Sequence, residues 1–143
     1  MNISDNGLEV IQDDEGCRLY SYLDTGGVWT IGVGHTGPDV VQGMTATMEQ
    51  VLEWLRGDTA EAQETVNRLV TVPLTQNQFD ALVNFVFNIG EPQFASSTLL
   101  KKLNKGDYEG AGQQFLRWDK DNGRQILGLL KRRIRQKDLF GRV

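Results

Sequence analysis

One short stretch breaks an otherwise helical pattern, and it restricts the possible folds more than any other feature of the chain. Residues 17–35 contain the run RLYSYLD, then Thr-Gly-Gly, then VWTIGVG. β-branched and aromatic residues on both sides of a glycine pair are typical of a β-hairpin. This interpretation places Asp24 where the first strand meets the turn, and it places Thr30 inside the second strand.

The segments around this hairpin carry helix signals. Residues 4–13 put Leu8 and Ile11 on one face, and Gly16 follows as a terminator. Thr75 and Gln78 match a capping box in front of an apolar stripe. We predict one helix before the hairpin and five or six after it, the last running from about 127 to 140.

A second prediction concerns the helices directly after the hairpin. The helical period resumes at Met44, and Gly57 interrupts it. We expect Asp58 to cap the segment that follows, because a short acidic side chain can accept hydrogen bonds from the first amides of a helix.

This layout predicts an α+β fold with segregated parts. The 143 residues are enough for one compact domain that needs no disulfides, and the single cysteine, Cys17, cannot form one within the chain. We expect a hairpin lobe over about 1–57, a mostly helical lobe over about 58–143, and a ligand cleft between the lobes. Cys17 is interpreted as a small packing residue, with a reactive thiol as the alternative.

Charge is distributed unevenly along the chain. Residues 1–70 carry twelve acids and three bases, a net charge of −9, whereas residues 71–143 carry seven acids and twelve bases, a net charge of +5. A basic half attracts polyanions, either nucleic acid or a cell-wall polymer that bears carboxylates, and the alternative is a solvated helix face. No run is long and apolar enough for a membrane span, and no secretory signal is recognisable.

Two familiar motifs are excluded by their surroundings. Gly32, Gly34 and Gly37 match a dinucleotide fingerprint, but Pro38 and Asp39 follow where a helix would have to begin. The only histidine, His35, has no second histidine or cysteine pair to complete a zinc site. We therefore expect His35 to be structural, hydrogen-bonded or ion-paired near the sheet.

The remaining candidates are Glu15, Asp24 and Thr30. Two carboxyls in different environments, one shielded from water and one beside a polar turn, can serve as the acid and base of glycoside hydrolysis. The Thr30 hydroxyl could then hold a water. The structural alternative is that Glu15 caps its helix or pairs with Arg18, and that Asp24 is only a turn residue.

The run EGCRLYSYLDTGGVWTIGVGHT resembles the catalytic signature of the phage-type lysozymes, glycoside hydrolase family 24. That signature is Glu, eight residues, Asp, five residues, Thr, then I-G-x-G-H-T, and Glu15, Asp24 and Thr30 occupy its functional positions. Further blocks resemble the family in order: LTQNQFDALVNFVFNIG, FASSTLLKKLNKGDYEGAGQQFLRW and GLLKRR. The resemblance covers nearly the whole chain and implies a two-lobed lysozyme-like fold.

The resemblance also implies a muramidase, which hydrolyses the β-1,4 bond between N-acetylmuramic acid and N-acetylglucosamine in bacterial peptidoglycan. Glu15 would be the general acid, while Asp24 and Thr30 would activate a water in an inverting reaction. Arg132 or Arg133 would pair with Glu15 or with a neighbouring acid. No cofactor or metal is implied.

Two features depart from the family pattern: Gln136 stands where members often carry an acid, and the pI of about 5.0 is low for the family. Two rival functions are a lytic transglycosylase, which Asp24 and Thr30 disfavour, and a non-catalytic wall-binding module. We expect peptidoglycan as the partner, no nucleic acid, no membrane insertion and a monomer. The protein would remain in the host cytoplasm until it is released to the cell wall.

Overall fold

The predicted hairpin is present in the computed structural model, which describes residues 1–121 and 123–142. The helices in this part of the chain are α1 (Asp5–Glu15), α2 (Met48–Asp58), α3 (Ala60–Leu69), α4 (Gln76–Ile89), α5 (Glu91–Ala95), α6 (Thr98–Asn104), α7 (Tyr108–Gln114) and α8 (Leu127–Phe140). The strands are β1 (Arg18–Leu23), β2 (Trp29–Gly32), β3 (Lys120–Asp121) and β4 (Arg124–Gln125), and a 3₁₀ helix covers Phe115–Arg117.

The chain divides into two compact units. The first, called here the hairpin unit, is Leu8–Ala60, and the second, called the helical unit, comprises Met1–Gly7 and Glu61–Val143. The chain passes from the helical unit to the hairpin unit within α1 and returns at the start of α3.

In the hairpin unit, β1 and β2 pair in antiparallel fashion, with Tyr22 opposite Thr30 and Leu23 opposite Trp29. The register shifts between Arg18 and Tyr22, so β1 carries a bulge. A single antiparallel β-bridge between Tyr20 and Thr45 pairs a short third segment with β1. The apolar side chains that are buried in this unit are Leu8, Ile11, Ile31, Val33, Val40, Val51 and Leu55.

The helical unit is built around α4. Its capping box is present as predicted: the Thr75 hydroxyl accepts from the Gln78 amide, and the Gln78 side chain accepts from the Thr75 amide. Gly90 ends the helix with a φ of 86°, also as predicted. The Phe85 ring makes edge contacts with three other aromatic rings, those of Phe94, Phe115 and Trp118. These rings form the centre of the unit's apolar core.

The helices after the hairpin differ from the prediction at two places. Helix α2 begins at Met48, because Thr47 and Gln50 form a second capping box, and it continues through Gly57. The prediction that Asp58 caps the next helix is wrong, since Asp58 is the last residue of α2. The described residues hold seven helices after the hairpin, because α5 begins at Glu91 directly after Gly90, with proline in its first turn.

Candidate active site

The turn of the hairpin holds the Asp24 carboxylate through two backbone amides. Asp24 Oδ1 accepts from the N–H of Gly26 at 2.8 Å and from the N–H of Val28 at 2.9 Å. The backbone closes the same turn, because the Asp24 amide donates to the Val28 carbonyl and the Gly27 amide donates to the Asp24 carbonyl. Gly27 has a φ of 77°, a conformation that glycine adopts without strain. Asp24 thus directly follows β1, as predicted, with one carboxylate oxygen held by the turn.

Thr30 lies inside β2, as predicted, and is only 3 % exposed. Its hydroxyl donates to the Val28 carbonyl at 3.0 Å. Because that bond uses the hydroxyl hydrogen, Oγ1 faces any other partner as an acceptor. Val28 therefore connects the two side chains: its amide binds the Asp24 carboxylate, and its carbonyl binds the Thr30 hydroxyl.

Glu15 is the last residue of α1, and its side chain is exposed. The amide of the next residue, Gly16, donates to the Gln12 carbonyl at 2.8 Å and ends the helix. Glu15, Asp24 and Thr30 all belong to the hairpin unit, within one span of 16 residues. The sequence analysis expected a shielded Glu15 carboxyl, whereas the Glu15 residue is exposed in the structure.

His35 is structural, as predicted, and the structure adds three partners that the sequence interpretation missed. Its Nδ1 lies 2.9 Å from Asp58 Oδ2, its Nε2 lies 3.0 Å from Asp39 Oδ2, and its ring stacks on Trp54 at 4.8 Å between centroids. Asp39 follows His35 by four residues, a spacing that could have suggested the contact. Nothing local in the sequence relates His35 to Asp58 or Trp54, which come from α2.

The electrostatics of this cluster favour a charged imidazole. Burial lowers the pKa of His35, but the hydrogen bonds that the ring donates to Asp39 and Asp58 outweigh it, so the pKa is raised overall. The hydrogen bond from His35 also lowers the pKa of Asp39. The cluster therefore joins the loop after β2 to α2 through paired charges.

Arg18, the first residue of β1, contacts an aromatic ring on its own strand. Its guanidinium carbon lies 4.6 Å from the centroid of the Tyr22 ring, a cation–π contact along β1. The structural alternative given above paired Arg18 with Glu15. Within the part of the chain that the structure describes, this guanidinium contacts the Tyr22 ring instead.

The family-like arginine pair lies on α8 in the helical unit. Arg133 is buried, and its guanidinium donates to the Trp118 carbonyl at 2.9 Å, to Asn88 Oδ1 at 3.1 Å and to Gln136 Oε1 at 2.9 Å. The Gln136 amide in turn donates to Asn88 Oδ1 at 3.0 Å. The glutamine that replaces the family's usual acid therefore binds Arg133 as a neutral acceptor.

In the part of the chain that the structure describes, no three His, Cys, Asp or Glu side chains are grouped as a metal site. Nor does any helix within 1–121 and 123–142 have the length and apolar character needed to cross a bilayer.

Burial raises the pKa of the half-buried Cys17 thiol, consistent with a packing role.

Comparison with known proteins connects this geometry to one family. The family model described as phage lysozyme matches residues 12–136. An endolysin of Acyrthosiphon pisum secondary endosymbiont phage 1 is 47% identical over 144 residues, covering 98% of each chain. The crystal structure of a P22 lysozyme mutant has a TM-score of 0.92 at 44% identity, with 98% of both chains covered. The muramidase domain of SpmX from Asticaccaulis excentricus has a TM-score of 0.87 at 40% identity over 99% of both chains. These likenesses confirm the predicted lysozyme-like α+β fold.

Proposed function

Because the chain belongs to the phage lysozyme family and is a peptidoglycan-degrading glycoside hydrolase, we propose that it cleaves the β-1,4 bond after N-acetylmuramic acid by an inverting mechanism. Residues 1–143 act as one lysozyme domain. Glu15 is the general acid, and Asp24 and Thr30 position and activate the attacking water. The hydrogen-bond chain from Asp24 through Val28 to Thr30 is the observation that carries this assignment.

These hydrogen bonds leave one acceptor on Asp24 and one on Thr30, and both can bind the same water molecule. Asp24 Oδ1 is held by the turn amides, so Oδ2 is the oxygen that can accept from a solvent molecule. Thr30 Oγ1 also accepts, because its hydrogen is used on the Val28 carbonyl. A water that donates one hydrogen to each group presents its lone pair to the anomeric carbon. Asp24 then takes the proton as the new bond forms.

Glu15 supplies the other proton. It protonates the glycosidic oxygen as the bond to the anomeric carbon breaks, so the leaving sugar departs as an alcohol. Because Glu15 is exposed, the bound glycan itself has to exclude water from this carboxyl. In an inverting enzyme the two carboxyls stand about 6.5–9.5 Å apart across the sugar, which leaves room for the water.

The proposal also covers the oligomeric state of the protein, its binding partner and the place where it acts. The protein acts as a monomer on peptidoglycan, without nucleic acid and without inserting into a membrane. It acts on the host cell wall after release from the cytoplasm. The basic excess of residues 71–143 supports attraction to an anionic wall polymer.

The test is turbidity loss of permeabilised Gram-negative cells, with new reducing ends assayed in the digest. We expect the intact protein to clear the cells and release reducing ends. Glu15→Gln should remain folded but inactive, because an amide cannot donate the catalytic proton. Glu49→Gln, an exposed glutamate in the first turn of α2, is the matched control and should retain activity.

The same digest separates the rival functions. Clearing with 1,6-anhydromuramic ends would identify a lytic transglycosylase. Binding to the wall by a folded protein that releases no sugar ends would identify a wall-binding module. Normal cleavage by Glu15→Gln would remove Glu15 from its proposed role.

A further inference from the structure

Arg18 and Tyr22 form a cation–π pair on the strand that leads to Asp24. The guanidinium lies over the Tyr22 ring at 4.6 Å from its centroid, and both residues belong to β1. Arg18 is exposed, whereas Tyr22 is half-buried. A guanidinium stacked on a ring keeps its N–H edge available for hydrogen bonds, because stacking uses only its flat face.

The strand register relates this pair to the proposed catalytic residues. Tyr22 is directly opposite Thr30 on β2, and directly paired residues of antiparallel strands project from the same face of the sheet. Asp24 directly follows the last residue of β1 and lies in the turn. Arg18 is paired with Gly32, two residues beyond Thr30 on β2, so across the bulge in β1 the register places it in one row with Tyr22 and Thr30, and Asp24 lies in the turn beyond the end of that row.

The charges in this row and at its end are of opposite kinds. Asp24 is an acceptor held in place by backbone amides, whereas Arg18 is a donor held in place by an aromatic ring. Among the described residues, no carboxylate forms an ion pair with Arg18. A planar fork of N–H donors matches a carboxylate better than it matches a sugar hydroxyl.

We propose that Arg18, supported by Tyr22, is a specificity-determining residue that binds a carboxylate on the peptide stem of the glycan strand. This inference rests on the proposed function, since it places a peptidoglycan strand along the hairpin. Arg18 takes no part in bond cleavage. It binds the substrate equally in the ground state and the transition state, so its loss should raise KM and leave kcat unchanged.

The test begins with binding, which does not depend on catalysis. Glu15→Gln and the double variant Glu15→Gln/Arg18→Gln are sedimented with peptidoglycan sacculi, either native or with their carboxylates converted to amides by carbodiimide and ammonia. We expect the Arg18 change to weaken binding to native sacculi about three- to tenfold, with no effect on amidated sacculi. The difference should shrink as salt is raised.

Kinetics on the two substrates use the catalytically intact chain. Arg18→Gln should raise KM on native sacculi by the same factor. Arg56→Gln removes an equal charge from α2 and should leave KM unchanged on both native and amidated sacculi. Arg18→Lys should be intermediate, since it keeps the charge without the planar fork.

Two outcomes would overturn the inference. If Arg18→Gln weakens binding to native and amidated sacculi equally, the pair only stabilises the hairpin. If it changes neither, Arg18 does not contact the strand. Failure of the catalytic proposal gives a different result. Cleavage by Glu15→Gln would appear as released sugar, whereas failure of the Arg18 proposal appears in the comparison of native with amidated sacculi.

Discussion

The carboxylate of Asp58 holds the imidazole of His35, with Asp58 Oδ2 2.9 Å from Nδ1. Asp39 approaches the other ring nitrogen at 3.0 Å, and Trp54 stacks on the ring. A carboxylate can only accept, so both ring nitrogens satisfy their partners fully when the imidazole is protonated. The stability of the hairpin unit should therefore depend on the charge of one histidine.

The first prediction is that Asp58→Asn destabilises the protein more below neutral pH than above it. Since the folded-state pKa of His35 is raised, its stabilisation is complete below the unfolded pKa of about 6.5 and is lost as pH rises through the folded value. Thermal unfolding from pH 5 to pH 9 should show a cost of about 1–2 kcal/mol near pH 5.5 that declines at high pH. A cost that is independent of pH would contradict the charged pair.

At acidic pH, the charge of Asp39 determines how much this cluster stabilises the protein. Its pKa is lowered by the hydrogen bond from His35, so its contribution is present above the unfolded value and is lost as pH falls through the folded one. Asp39→Asn is the comparison variant. Its effect on the melting temperature should persist at pH 5 and disappear only when the series is extended below the ordinary aspartate pKa of about 3.9, where the intact protein also loses the charge.

The second prediction separates the Thr30 hydroxyl from the shape of the side chain. Thr30→Val keeps the volume but removes the acceptor for water, and we expect kcat on sacculi to fall about 10–100-fold. Thr30→Ser keeps the hydroxyl and should retain activity within a few-fold. Circular dichroism of both variants controls for folding. Full activity in Thr30→Val would show that this hydroxyl does not position the nucleophile.

The third prediction concerns the close approach of α1 to α4 in the helical unit. A Cβ at Gly7 would lie 2.6 Å from Asp80 Cγ and 2.8 Å from Ile3 Cγ1. Asp80 is fully buried and cannot move aside easily, because it accepts hydrogen bonds from the Ser4 amide, the Ser4 hydroxyl and the Gln76 side chain. Gly7→Ala should therefore destabilise the protein by about 1–3 kcal/mol in urea unfolding.

The control for Gly7 is Gly57, which lies inside α2. No atom lies within 4 Å of a Cβ built there, so Gly57→Ala should stabilise the protein by about 0.5–1 kcal/mol through helix propensity. If both alanine variants shift the urea midpoint in the same direction, steric contact with Asp80 does not decide the outcome.

Much of the fold was predictable from local patterns. The hairpin, the capping box at Thr75 and Gln78, the end of α4 at Gly90 and the bounds of α8 all follow from short-range chemistry. Helix α2 shows the limit of such reasoning. A continuous apolar period suggested an early start at Met44, but the hydrogen bonds of Thr47 and Gln50 decided where the helix begins.

By itself, the sequence determined the residue types of the proposed site and their spacing, because Glu15, Asp24 and Thr30 lie within one helix end and one hairpin. It also determined that Asp24 is a turn residue, since the two glycines after it close that turn. Only the tertiary structure decided what surrounds His35, Gly7 and Arg133. Their partners come from distant parts of the chain, so packing between elements, rather than any local pattern, brings these groups together.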